Sequence, residues 1–134
     1  MITKVGLISK MLNNFEIAKF VFNFKAEEDG HLPEYKGSIL RGGFGYTFKN
    51  IVCPYKSKDC SECQSKDSCA YSYIFETSPS PKSEKYSKFS DVSRPFVVEP
   101  SINRKCNFVE GEPLQFGLVL MGKAIDYFPY FVFF

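Results

Sequence analysis

The chain contains no tryptophan, one histidine and three methionines among its 134 residues. Its aromatic surface therefore rests on 15 phenylalanines and 8 tyrosines, and any histidine acting as a general base has to be His31. Net charge is scarce too. The 17 Lys and Arg against 15 Asp and Glu leave +2 at pH 7, so the sum does not announce a nucleic-acid binder and the distribution of charge matters more. Long apolar runs are missing. The aromatic tail from Tyr127 to Phe134 is far shorter than the roughly 20 residues needed to cross a bilayer. Met1 to Asn14, with Lys4 and Lys10, lacks the continuous apolar stretch and small-residue cleavage site of a signal peptide. These absences lead us to expect a cytoplasmic protein with no membrane association. We find no internal repeat.

What is present suits one globular domain over residues 1–134. Hydrophobic residues make up 44% and aromatics 17%, enough to build a core in a chain of this length. A domain this small buries a modest fraction of its surface, so an internal metal staple would be useful. Basic residues gather as Lys36, Arg41 and Lys49, then Lys56, Lys58 and Lys66, then Lys82, Lys85 and Lys88.

Phe15 to Lys25 (FEIAKFVFNFK) places Ala18, Phe20, Phe22 and Phe24 on one parity, the signature of a strand buried on one face. Pro33 and Gly37 then punctuate the chain, and Ser38 is the expected N-cap of a helix running to about Val52. Leu40, Phe44, Phe48 and Ile51 form its apolar stripe. Ser38, Gly42 and Gly45 lie on another, nearly bare face. Each helical glycine costs about 1 kcal/mol against alanine, and the usual compensation is close approach of another backbone or of a ligand. After the cysteine segment, AYSYIFE is a short strand or a helical turn, and residues 77–94 are a polar, flexible loop. Strands are expected at Pro95 to Glu99 and at Glu112 to Met121, the latter with Leu114, Phe116, Leu118 and Leu120 on one face. Asp126 is the expected cap of a last helix, with Pro129 in its first turn.

The cysteines follow the pattern Cys53-x6-Cys60-x2-Cys63-x5-Cys69. Zinc takes four tetrahedral ligands and thiolates satisfy it at about 2.3 Å. Pro54, Asp59, Ser61 and Asp67 are turn formers that suit a loop wrapping an ion. Reduced cytosolic thiols favour a closed structural zinc site in the 53–69 insertion, with two disulfides or four free thiols as the rival readings. Cys106 stands apart.

The run Leu32-Pro33-Glu34-Tyr35-Lys36-Gly37-Ser38-Ile39-Leu40-Arg41-Gly42-Gly43-Phe44-Gly45 resembles the LP-x-x-x-G-S-x-L-R-G-x-F-G segment of the CRISPR-associated repeat-processing endoribonucleases, the sixth Cas family of the RAMP superfamily. The likeness continues through the cysteine insertion, Cys69-Ala70-Tyr71 with Ile74-Phe75-Glu76, Arg94-Pro95-Phe96-Val97-Val98, Gly111-Glu112 and Leu120 to Ala124. It implies an α+β, ferredoxin-like (RRM-like) domain that binds CRISPR repeat RNA. It also implies metal-independent cleavage of precursor RNA, in which a general base assists the ribose 2′-OH and a cation stabilises the phosphorane. Against that pattern the chain is expected to stop inside the second helix, before the last strand, with a homo-oligomer or a partner chain supplying the missing half.

The candidate catalytic residues are His31 and Tyr46, the latter standing where relatives often carry a basic residue or histidine. The candidate RNA contacts are Arg41, Gly42, Lys49 and Lys36. Four have a plainer reading: a solvated loop histidine, a partly buried tyrosine, a salt-bridged Arg41 and an exposed Lys49. Phe20, Phe22 and Phe24 are expected in the core rather than on a base-stacking surface. Two alternatives are a non-catalytic RNA-binding or scaffolding subunit and a zinc-stabilised protein-interaction module.

Overall fold

The computed structural model describes residues 2–7, 15–55, 59–77 and 92–134, the first of these stretches by its backbone alone. In chain order the elements are β1 (Ile2–Leu7), β2 (Ile17–Lys25), β3 (Gly30–His31), α1 (Gly37–Val52), α2 (Ala70–Phe75), β4 (Phe96–Glu99), β5 (Asn107–Phe108), β6 (Pro113–Met121) and α3 (Phe128–Phe131). Four strands form an antiparallel sheet in the order β1-β2-β6-β4, and β3 pairs with β5 apart from it. The fold is thus mixed α+β around an antiparallel sheet.

Alternation sets the register. Ala18 pairs with Leu120, Phe20 with Leu118 and Phe22 with Phe116, and all six are buried on one face. A one-residue slip would turn this whole set to the other face, so burial pins the pairing. Leu40, Phe44 and Phe48 of α1 lie over that face. The Phe44 ring meets Phe22 edge-on at 5.6 Å and Phe116 at 5.7 Å. Each such ring contributes about 1.5–3 kcal/mol through removal from water, so α1 is held by its aromatic stripe rather than by helix propensity. Phe20, Phe22 and Phe24 all belong to the core side. The opposite parity of β2, β4 and β6 carries no aromatic ring. There Lys19 pairs with Glu99, and Gln115 donates to Asn23 at 2.7 Å.

Several local expectations are corrected. The helix starts at Gly37, with Lys36 rather than Ser38 at its N-cap and no side-chain cap. Ile51, although on the apolar stripe, is 43% exposed, while the next residue, Val52, packs against the core. AYSYIF is helical. The last helix is preceded by a 3-10 turn over Gly122–Tyr127, so Tyr127 and not Asp126 occupies its N-cap, while Pro129 does sit in its first turn. The described ends of the expected 77–94 loop are tied down. Thr77 donates to the Tyr73 carbonyl at 2.8 Å, and Arg94 donates to the carbonyls of Phe75 at 3.0 Å and Val92 at 2.9 Å. Most of that loop, with Lys82, Lys85 and Lys88, lies outside the described residues, as do Lys10, Lys56 and Lys58.

The turn between β5 and β6 gives a pH prediction. Glu112 accepts from Lys105 and, at 2.9 Å, from the Val109 N–H. Chiefly the Lys105 hydrogen bond, then the Val109 N–H, hold its pKa below the ordinary glutamate value of 4.5. A depressed carboxylate stabilises the fold above its unfolded pKa, and that stabilisation disappears as acid titrates the folded group. Melting curves of the wild type and Glu112→Gln, followed from neutral pH to about pH 3, should therefore converge in acid. A gap that stays constant would show that the charge on Glu112 contributes nothing.

Candidate nucleic-acid interface

With Leu40, Phe44 and Phe48 turned into the core, α1 presents Ser38, Arg41, Gly42, Gly45 and Tyr46 on another face. This face floors a cleft of about 560 Å³, walled by α2 through Tyr71, Phe75 and Glu76 and by β4 through Phe96, Val97 and Val98, with Tyr35 at its end. Within the described sheet β4 is an edge strand, so the cleft lies between a helix and a sheet edge.

The glycines divide in purpose. A Cβ on Gly43 would stand 2.4 Å from the Phe134 ring, so that glycine admits a protein neighbour. A Cβ on Gly45 would meet Phe75 at an ordinary 3.6 Å. Gly42 has nothing within 4 Å of where its Cβ would be. Its missing side chain widens the cleft rather than letting another element approach.

Tyrosine rings and one cation, Arg41, line this hollow. Tyr35 and Tyr46 are 68% and 74% exposed. Tyr71 is half-buried, and its hydroxyl pKa is raised by that burial, with Glu76 adding to the shift and Arg41 opposing it. The Lys49 ammonium stands 5.3 Å from the centre of the Tyr71 ring. Arg41 is exposed and also lines a neighbouring hollow with Val92, Ser93 and Arg94. The first turn of α1 carries no acidic residue, so the positive end of the helix dipole is uncompensated there.

Of the residues singled out by the sequence, Arg41, Gly42 and Tyr46 meet in the cleft. Lys49 sits behind it, half-buried over Tyr71 rather than free in solvent. Lys36 is a correction: it is only 1% exposed. Its ammonium donates to the carbonyls of Glu34 at 3.4 Å and Asn103 at 3.3 Å, and stands over the Phe108 ring at 5.7 Å. A cation so engaged fastens the loop before β5 to the start of α1 and is not available to a phosphate. His31 lies elsewhere. It is exposed on β3, donates from Nδ1 to Asn107 Oδ1 at 2.8 Å, and lines a separate cavity of about 200 Å³ with Phe24, Leu32, Phe108 and Leu114. Tyr35, Tyr71 and the β4 wall were not singled out by sequence. The only signal for Tyr35 was its place inside the LPEYKGS run.

The four spaced cysteines occupy successive element ends. The Cys53 N–H closes α1 on the Lys49 carbonyl at 2.9 Å. Cys60 opens a 3-10 turn and Cys63 closes it, while Cys69 ends a second such turn and precedes α2. Asp59 caps the first turn by accepting from the Ser61 N–H at 2.9 Å. All four thiols are half-buried and free of disulfides. Burial pushes the Cys60 thiol pKa up, and its neighbours Cys53 and Cys69 add to that rise. Among the described residues no group of three or more His, Cys, Asp or Glu side chains converges as a metal-holding set. Cys106 is remote, its thiol turned to the Arg104 carbonyl at 3.4 Å.

Comparison with known proteins adds a family and one relative. The model of the AF_1859_N family, described as an N-terminal domain, matches residues 15–134. An uncharacterized protein of Archaeoglobus fulgidus is 28% identical over 103 residues, which cover 77% of this chain and 34% of that protein. The match therefore spans about a third of the relative's length. No solved structure matches the chain. Among the described residues no helix is long and apolar enough to cross a membrane.

Proposed function

We propose that this chain, which belongs to the AF_1859_N family of N-terminal domains, binds RNA in the cleft between α1 and β4 as part of a CRISPR-associated repeat-processing system in the cytoplasm. The observation that carries the proposal is the meeting of Arg41, Gly42 and Tyr46, all from the LRGGFGY run, with Tyr35 and Tyr71 on one concave surface. A guanidinium among exposed tyrosine rings suits phosphate and bases together. The order β2-α1-β4-β6-α3, with β6 between β2 and β4, supports a ferredoxin-like (RRM-like) reading. In that reading β1 lies on the side of β2 that the closing strand of the fold would take.

Cleavage of this class passes a proton from the ribose 2′-OH to a base as the oxygen attacks the adjacent phosphorus. The P–O5′ bond breaks, the leaving 5′ oxygen takes a proton from a general acid or water, and the products are a 2′,3′-cyclic phosphate and a 5′-OH. In this reading Arg41 binds the phosphate and Tyr46 contacts the nucleotide, both lining the cleft, but His31 faces a different cavity. That separation favours a second reading, a non-catalytic RNA-binding subunit of the same kind. Incubation with labelled repeat RNA in EDTA separates the two: cyclic-phosphate ends support the nuclease, and binding without cleavage supports the subunit.

We also propose that Cys53, Cys60, Cys63 and Cys69 hold a structural zinc. Their spacing and their positions at consecutive element ends support this, with the thiolates drawing inward around the ion. Such a site would supply a fixed junction between the end of α1 and the start of α2.

The RNA reading has a direct test. Gly42→Leu puts a side chain into open cleft space while relieving roughly 1 kcal/mol of helix propensity. Fold stability should hold or rise while RNA affinity falls about tenfold or more. Arg41→Ala should weaken binding by a similar factor and flatten its salt dependence. Unchanged RNA affinity in both variants would remove the cleft from consideration.

A further inference from the structure

We infer that the cleft takes unpaired RNA, with successive bases splayed and stacked on Tyr35 and Tyr46 while the backbone between them passes Arg41. This rests on the RNA reading above and adds the strandedness and mode of recognition. Three observations carry it. The first is where aromatic rings are absent: the open parity of β2, β4 and β6 has none, so stacking cannot use that sheet face as RRM-type readers do. Tyr35 and Tyr46, two of the most exposed rings among the described residues, are at the cleft instead.

The second is spacing. Tyr35 precedes α1 and Tyr46 lies nine residues past Gly37, which is about 13 Å along the axis from helical rise alone. Neighbouring bases within a duplex strand stand only about 3.4 Å apart. Two rings mounted on backbone positions so far apart suit bases that have left a continuous stack.

The third is shape and charge. About 560 Å³ is the volume of a small-ligand pocket, suited to bases entering singly. Double-stranded RNA is instead read across a broad, shallow groove through shape, phosphates and 2′-hydroxyls. Arg41 supplies the positive charge on the α1 side. Stacking accepts any base, so recognition here is tolerant of sequence.

The test compares fluorescently labelled single-stranded RNA with the same sequence fully paired, by anisotropy, for wild type, Tyr35→Ala, Tyr46→Ala and the two Tyr→Phe variants. Thermal midpoints are recorded for each. Wild type should bind the single strand at least tenfold more tightly than the duplex. Each alanine variant should lose about 5- to 100-fold for the single strand, since stacking is worth about 1–3 kcal/mol per base. Each phenylalanine variant should retain binding, because the ring and not the hydroxyl acts. Equal or tighter duplex binding would overturn the inference while leaving the RNA reading in place. Alanine variants that bind like wild type, or phenylalanine variants as weak as alanine, would overturn the stacking role. Binding to neither RNA would overturn both this inference and the reading it rests on.

Discussion

Replacing Phe131 with alanine is expected to lower the free energy of unfolding by about 3–5 kcal/mol, the usual cost of deleting a fully buried ring. Phe131 is 1% exposed although α3 is a single turn. Its ring lies 5.3 Å from both Phe44 and Phe48 of α1, 6.3 Å from Phe75 of α2 and 6.0 Å from Phe96 of β4. Each of those neighbours belongs to an element fixed by its own backbone bonds, so the cavity left behind cannot collapse cheaply. Domains are stable by only about 5–15 kcal/mol in total, so the variant should unfold at a much lower denaturant concentration. Phe133, 71% exposed two residues on, is the control. Phe133→Ala should cost within about 0.5 kcal/mol. Equal costs in chemical denaturation would mean that α3 does not plug the core.

The second large effect concerns the cysteine segment. On the proposed zinc reading, the purified chain should carry one zinc, and chelation should lower its melting midpoint by on the order of 10 °C or more. The loss should stay below the full binding energy of a zinc-finger peptide, about 10–16 kcal/mol, because the aromatic core persists without the metal. Cys60→Ser and Cys63→Ser should each abolish stoichiometric zinc, whereas Cys106→Ser should leave it intact. Amide exchange should rise first at the end of α1 and the start of α2, which Cys53 and Cys69 terminate. Elemental analysis without zinc, together with a midpoint indifferent to chelator, would end this reading in favour of free thiols or disulfides.

Much of the scaffold is readable in the sequence. The alternation of Ala18, Phe20, Phe22 and Phe24, and of Phe116, Leu118 and Leu120, identified two central strands and their inward faces, because side-chain parity in a strand is a local property. The Leu40, Phe44 and Phe48 stripe identified α1 in the same way. β1 went unread: in its six residues, ITKVGL, one parity mixes Ile2 with Lys4 and Gly6, so no clear alternation marks it. The two-residue strands β3 and β5 are too short to carry a periodic pattern.

The candidate site was legible only in part. Spacing put Gly42 on the bare face of α1 with Ser38 and Gly45, whereas Arg41 and Tyr46 were candidates by charge and by the family resemblance, and only the structure brings the three together. Lys36 is in the same run and was misplaced, since its direction depends on Asn103, 67 residues away. His31 was a candidate by scarcity alone, and its own strand carries it to another cavity.

Local order along the chain was enough to decide which residues of β2 and β6 face inward and that one face of α1 would be bare, because periodicity and glycine act within a few residues. Only the tertiary structure decided that β4 ends the described sheet beside that face, that Tyr35 and Tyr71 join the cleft, and that Lys36 does not. Those outcomes come from pairings between distant segments, where the burial of one side chain is set by a partner its neighbours do not encode.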